Sequence, residues 1–218
     1  ASAGTGRTTY LITRILELAR AGTPLRRVAA ITYTRRAAND LKLKLRSALE
    51  QLHDEGQWLN HTLEPQHRPA IETALRELDG ANIGTIHGFL ANLLRLVAPT
   101  ITLDPDFQVI GEHDAIAIFR EEAATHAYLT NTPIPDRTMS RLEQLFRQRS
   151  LAPEFHTTHD GDRELLALYA ALMTRYWARL DNRALAPADL ELKAAEAATR
   201  QTVLQRWRER VQQVIVDE

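Results

Sequence analysis

The amino-acid sequence predicts an α/β fold built on a parallel sheet and interrupted by an all-helical insert. Three observations lead there. A glycine turn runs straight into an amphipathic helix at the start; short apolar runs alternate with helical stripes up to about residue 112; and strand-like alternation disappears from there to about residue 184.

Taken in order, Leu11, Ile15 and Leu18 recur at helical spacing after the opening glycines, with Ile12, Leu16 and Ala19 widening the stripe. The helix is expected to begin near Thr8 and to stop at Gly22 and Pro24. "VAAIT" (28–32) is a short apolar run between turn signals and reads as a buried strand. Loop, helix and strand in that order suggest a βαβ unit whose first strand would precede Ala1, as expected of a piece of a longer chain. Leu41, Leu45, Ala48, Leu49 and Leu52 mark a second helix, and "HDEGQWLNHTLEPQHRP" is a polar excursion with turn formers. A helix over 69–78, a short strand "NIGT" and a helix "IHGFLANLLRLVAP" closed by Pro99 complete the first part.

Stretches such as "AIAIFREEAATHAYL" and "ELLALYAALMTRYWARL" then keep helical spacing throughout. A further helical stretch opens at Pro187, and "VIV" (214–216) returns to strand character. The expected organisation is a first core segment 1–112, a helical insert 113–184 and a return to the core over 185–218.

Composition narrows the function classes. The chain has 218 residues, 44% hydrophobic and 25% charged, with net charge −1, so any nucleic acid must be held by a local patch rather than by overall charge. Absence of cysteine excludes disulfides, thiolate metal sites and cysteine nucleophiles. No apolar run reaches the ~18 residues that span a bilayer, and the expected location is cytoplasmic. "HTTHD" (156–160) brings two histidines near each other without a further ligand, and is not read as a metal site.

Two segments carry the chemistry. In "ASAGTGRTT" (1–9), Gly4 and Gly6 permit a turn whose backbone N–H groups point inward, while the following helix aims its unpaired amides at the same place. The spacing matches the phosphate loop G-x-x-x-x-G-K-[ST], except for Ala1 at the first glycine and Arg7 at the lysine. Ser2, Ala3 and Thr5 keep the loop small, and Thr8 offers a hydroxyl at the magnesium-binding place, followed by Thr9. Such clusters also serve as ordinary turns. At the far end, "VIVDE" places Asp217 and Glu218 at the carboxyl end of a strand, where open α/β sheets bind ligands. Asp217 would hold magnesium and Glu218 would activate water, though strands ending in acids are common.

"AAITYTRRAANDLKLKL" (29–45) resembles the T-F-T-x-x-A-A-x-E-M signature of superfamily 1 DNA helicases of the UvrD, Rep and RecB/AddA group. "IGTIHGFLANLLR" (83–95) is similar to their T-x-H-x-F motif, and "LDPDFQVIGEHDA" to the L-D-P-x-F-x-V-x-x-E stretch of the AddA/RecB-like branch. Of the family's "DFDDL" only Asp189 and Leu190 remain here. The resemblance implies a RecA-like P-loop NTPase domain with a 1B-like helical insert. It further implies ATP and Mg2+ as cofactors, single-stranded DNA tracked 3′ to 5′, a setting in repair or recombination, and a possible partner subunit in a helicase–nuclease complex.

Thr32, Thr34, Thr85 and His87 are short polar side chains at strand ends, suited to phosphate oxygens, and Tyr33 offers a ring to bases with Arg35 beside it. Phe89 falls on an apolar stripe and reads as core before it reads as a base platform. Arg26, Arg27, Arg35, Arg36, Lys42, Lys44 and Arg46 give this region a positive excess opposed in sequence only by Asp40, about half of them as solvated helix positions. The full-length protein is expected to be an ATP-dependent DNA helicase in which Arg7 impairs hydrolysis. A non-catalytic DNA-binding or regulatory protein with a degenerate nucleotide site is the alternative. A small-molecule P-loop kinase leaves "TYTRRAA" and "TIHGF" without a role.

Overall fold

The computed structural model describes residues 5–151 and 160–217. Its elements are α1 (Thr5–Arg20), β1 (Val28–Thr32), α2 (Arg35–Glu55), β2 (Gln57–Trp58), β3 (His61–Thr62), α3 (Arg68–Glu77), β4 (Asn82–Thr85) and α4 (Ile86–Val97). There follow β5 (Gln108–Val109), α5 (Glu112–Leu129), α6 (Asp136–Arg147), α7 (Asp160–Leu180), β6 (Ala184–Leu185), α8 (Pro187–Ala198), α9 (Gln201–Arg210) and β7 (Gln213–Val216). The chain packs into two compact units, one reaching Phe89 and resuming at Leu204, the other Leu90–Val203.

In the first unit β1 is buried along its whole length because it runs between two strands, β4 on one side and β7 on the other, all parallel. The "VAAIT" run is thus apolar on both faces, as a central parallel strand requires. Leu11, Ile15 and Leu16 of α1, Leu41, Leu45, Leu49 and Leu52 of α2, and Ile71 of α3 join Val28 and Ala30 in one core. These leucines recur every three or four residues, which keeps them on one face of each helix. Gly22 ends α1 at φ 84, with its N–H donating to Ala19 and that of Thr23 to Leu18, a left-handed stop that glycine takes without strain.

The structure departs from the sequence reading in several places. The helix α1 begins at Thr5, three residues before the expected Thr8, so Gly6 and Arg7 lie in its first turn. The polar excursion holds the β2–β3 hairpin, too short to leave an alternating pattern in the sequence. The stretch from Pro187 is two helices with a break at Thr199 and Arg200.

In the second unit α5, α6 and α7 bury a core of Phe119, Leu142, Phe146, Leu172 and Tyr176. Phe119 stacks on Phe146 at 4.4 Å, and Phe146 meets Tyr176 edge-on at 4.9 Å. Within this unit the segment 100–112 is hydrogen-bonded to the segment 182–200. Gln108 and Val109 pair with Ala184 and Leu185, Asp104 N–H donates to Asn182, and Arg200 donates to the Thr100 carbonyl.

At the centre of this unit lies a polar cluster. Arg149, 1% exposed, donates through Nε to Asp189 at 2.6 Å, through one amino group to the Phe146 carbonyl, and through the other to Glu112. Its guanidinium lies over the Phe146 ring at 4.0 Å. Asp189, fully buried, also accepts from Tyr176 Oη at 2.6 Å and from the Ala186 N–H at 2.9 Å, which caps α8. Glu112 accepts from the Ala188 N–H at 2.7 Å. Burial alone would lower the Arg149 pKa, but the Asp189 and Glu112 carboxylates raise it, so it stays charged. Burial, then the charge and hydrogen bond of Asp189, pushes the Tyr176 phenol up.

Burial also pushes the neighbouring Tyr169 phenol up to about 12. Protonated Tyr169 is therefore favoured in the folded state, and the stability it contributes is complete below its unfolded pKa of about 10 and lost as pH rises toward 12. Denaturant unfolding followed between these pH values is expected to show a steeper loss in the native protein than in Tyr169→Phe, by up to about 2.7 kcal/mol. Parallel pH profiles for the two proteins would contradict this.

Two residues other than Gly, Asn and Asp hold a positive φ among the described residues, Leu59 at 49° and Thr102 at 58°. Such a conformation costs roughly 1–2 kcal/mol for a residue with a Cβ. At Thr102 it closes the turn after α4, where the Leu103 N–H donates to Ala98. At Leu59 it forms the tip of the β2–β3 hairpin.

Candidate functional site

The carboxyl ends of β1, β4 and β7 lie side by side. Thr32 pairs with Thr85 and Ile31 with Val216, and the Asp217 N–H continues the ladder by donating to the Ile31 carbonyl at 2.8 Å. Asp217 therefore emerges next to Thr32, on the same edge as the residues that follow β1 and β4. Both of those strands lead directly into helices, so the amino ends of α2 and α4 open on this edge with their positive dipole ends.

Thr34 caps α2, its Oγ1 accepting from the Ala37 N–H at 3.1 Å, and Thr85 serves α4 likewise, accepting from the Gly88 N–H at 3.2 Å. Each cap occupies an oxygen lone pair and leaves the hydroxyl hydrogen to donate, so each threonine presents a donor beside a helix amino end. Gly88 accommodates this turn closely: a Cβ there would lie 3.4 Å from Thr85 Oγ1.

Thr32 lies at the end of β1. It is 2% exposed, and its hydroxyl donates to the Thr34 carbonyl at 3.0 Å, so it shapes the turn that follows β1. Its outward neighbour Tyr33 is 94% exposed, an aromatic ring with almost no packing of its own. Arg35 opens α2 in solvent, and His87 is half-buried in the first turn of α4.

The basic patch is smaller in space than in sequence. Glu77, at the end of α3, pairs with Arg26, and Asp79 just beyond pairs with Arg46 at 2.7 Å and with Lys42 at 3.6 Å. Asp40 is thus not the sole opposing charge; the acids come from a segment distant along the chain, which no local count of charges reveals. Arg35, Arg36 and Lys44 remain exposed.

Of the phosphate-loop residues, Ala1, Ser2, Ala3 and Gly4 lie outside the described residues, as does Glu218 at the other end, and the same holds for His156 and His159. Thr5, Gly6, Arg7 and Thr8 form the first turn of α1, which contains no acidic residue and carries the helix's positive dipole end. Gly6 has no atom within 4 Å of the place a Cβ would occupy, leaving open space beside that turn. A hydroxyl at Thr8 and a carboxylate at Asp217 are hard oxygen donors of the type magnesium takes, so the chemistry of the residues present fits that ion. Among the described residues no cluster of three or more His, Cys, Asp or Glu forms a site that would hold a metal on its own, and no helix is long and apolar enough to cross a membrane.

The UvrD/REP helicase N-terminal domain family matches residues 1–218. An ATP-dependent helicase/nuclease subunit from Enterococcus faecalis is 30% identical over 122 residues, 56% of this chain and 9% of the relative. The protein of the same name from Lactobacillus johnsonii is 27% identical over 181 residues, covering 80% of this chain and 13% of the relative. The exonuclease/helicase subunit RexA of Lactococcus lactis is 26% identical over 179 residues, 81% of this chain and 14% of the relative. The chain thus spans about a tenth of the length of the relatives it matches. With a matching family pattern over its full length and a parallel sheet whose carboxyl edge gathers the motif residues, the chain belongs to the UvrD/REP helicase N-terminal domain family.

Proposed function

We propose that the chain is the ATP-binding and DNA-contacting part of an ATP-dependent DNA helicase that moves 3′ to 5′ on single-stranded DNA, working in repair or recombination with a partner subunit. The observation that supports this most is the shared edge: Tyr33, Thr34, Thr85 and Asp217 all emerge from the carboxyl ends of three adjacent parallel strands. Strand movement of a few ångströms at one end of this edge would be felt at the other through a single buried strand, β1.

On this reading the turn 1–9 and the amino end of α1 cradle the phosphates of ATP, with Arg7 supplying positive charge. Thr8 and Asp217 hold magnesium, which supplies charge neutralisation for the phosphates when bound. Glu218 orients the attacking water. Thr34 and Thr85 donate hydroxyl hydrogens to DNA phosphates beside the amino ends of α2 and α4, with His87 and Arg35 on the same track, and the Tyr33 ring stacks on a base. Thr32 holds the turn that presents Tyr33. By the same assignment the segment 113–184 belongs to a 1B-like subdomain.

Stacking of a base on an exposed ring contributes roughly 1–3 kcal/mol. Tyr33→Ala is therefore expected to weaken binding of an oligo(dT) strand by about 5- to 150-fold at fixed salt, measured by fluorescence anisotropy, with ATP affinity unchanged. DNA affinity equal to that of the native protein would remove Tyr33 from the DNA track and with it the main support for this reading.

A second reading keeps DNA binding and drops turnover. Arg7 favours it, since the lysine of the phosphate loop is the departure with the most direct effect on phosphoryl transfer.

A further inference from the structure

The β2–β3 hairpin combines a rigid base with an unfavourable tip. At its base Trp58 packs against the first unit's core and stacks on His61, rings 5.8 Å apart and 14° from parallel, while the Leu63 N–H donates to the Gly56 carbonyl at 2.8 Å. At its tip Leu59 sits at φ 49 and is 56% exposed. Glycine or asparagine would hold that backbone without strain, and the leucine side chain is not among the residues packed on the core. Among the described residues, no packing on the core offsets the cost of leucine at this position.

The surroundings select the kind of surface that would. Between Arg46 and Arg68 the sequence contains no lysine or arginine, and it carries Glu50, Asp54, Glu55 and Glu64. Asp54, Glu55 and Glu64 are exposed on the segments leading into and out of the hairpin. An acidic rim repels a phosphate backbone and suits a protein surface with basic groups.

We propose that this hairpin is a docking tip for a partner protein, with Leu59 entering an apolar pocket ringed by lysine or arginine. The partner we assign is the companion subunit of the full-length protein, because the relatives are themselves named as subunits of a helicase/nuclease; the inference therefore rests on the partner-subunit reading above. A side chain that fills a well-packed, desolvated pocket can carry a large share of an interface's binding energy, and the acidic residues around it would favour a partner with basic groups beside that pocket.

The test uses the full-length protein and its purified companion subunit, with affinity measured for the native form and for Leu59→Asn. Asparagine tolerates the positive φ, so folding stability is expected to hold or rise while the affinity for the subunit falls about tenfold or more. Native protein that binds no subunit would overturn the partner-subunit reading and the proposal together. Native protein that binds, with Leu59→Asn binding equally well, would overturn the proposal alone. An oligo(dT) measurement on the same variant is expected to show unchanged affinity; a loss of about tenfold there, with subunit binding intact, would assign the tip to nucleic acid and overturn the proposal.

Discussion

Asp189→Ala is expected to remove about 3–5 kcal/mol of stability from the unit Leu90–Val203, the cost of leaving a buried charge without its partner. Asp189 is the acceptor for three donors, Arg149 Nε, Tyr176 Oη and the Ala186 N–H, and none of them has water to turn to. Glu112 holds the other side of the guanidinium, but its side chain is 37% exposed and shares its carboxylate with the Ala188 N–H, so it replaces only part of the lost interaction. The measurement is denaturant unfolding followed by Trp177, whose ring lies 5.4 Å from that of Tyr176. The other tryptophans, Trp58 and Trp207, belong to the first unit and are changed to phenylalanine so that Trp177 reports alone.

Removing both partners separates charge from shape. Asp189→Leu with Arg149→Leu leaves no unpaired buried ion of that pair, and is expected to be more stable than either single replacement. Additive losses in the double variant, or a loss below about 1 kcal/mol in Asp189→Ala, would show that the pair does not carry the packing of α8 on α5, α6 and α7.

This cluster also marks the limit of what the sequence discloses. Asp189 is readable only as a remnant of a family motif, and Arg149 gives no signal at all, since forty residues separate it from the carboxylate it meets. Its burial follows from tertiary packing, which local periodicity does not encode. By contrast β1, α2, β4 and α4 are legible because each is an apolar run or stripe of the right period between turn residues, and the order of those elements alone predicts a shared carboxyl edge. Thr34 and Thr85 are visible as polar residues at strand ends, and their capping bonds follow from the helices that start beside them. Thr32 has the same chemistry and the opposite fate: it stands level with Thr85, but on the central strand β1, flanked by β4 and β7, where it is buried. The pairing of Lys42 and Arg46 with Asp79 is invisible for the same reason as the Arg149 cluster: helix α2 and the end of α3 meet only in three dimensions.

Arg7→Lys in the full-length protein is expected to raise ATP turnover about a hundredfold at saturating single-stranded DNA, with a much smaller change in nucleotide affinity. Arg7 stands in the first turn of α1, where lysine stands in the phosphate-loop pattern. Both side chains carry the charge that attracts phosphate, so binding depends weakly on which is present. They differ in form: lysine ends in a compact ammonium that follows a shifting charge, whereas arginine presents a broad planar fork on a longer stem. Phosphoryl transfer relies on positioning and on charge placed where it develops, and a misplacement of about 1 Å is worth on the order of a hundredfold in rate. Turnover of the two forms, measured with and without oligo(dT), decides between the two readings of the chain. Equal turnover at a substantial DNA-stimulated rate would show that arginine serves in this loop as well as lysine. Negligible turnover in both, with ATP still bound, would leave a nucleotide site that holds conformation without hydrolysis, and would favour the regulatory reading over the motor.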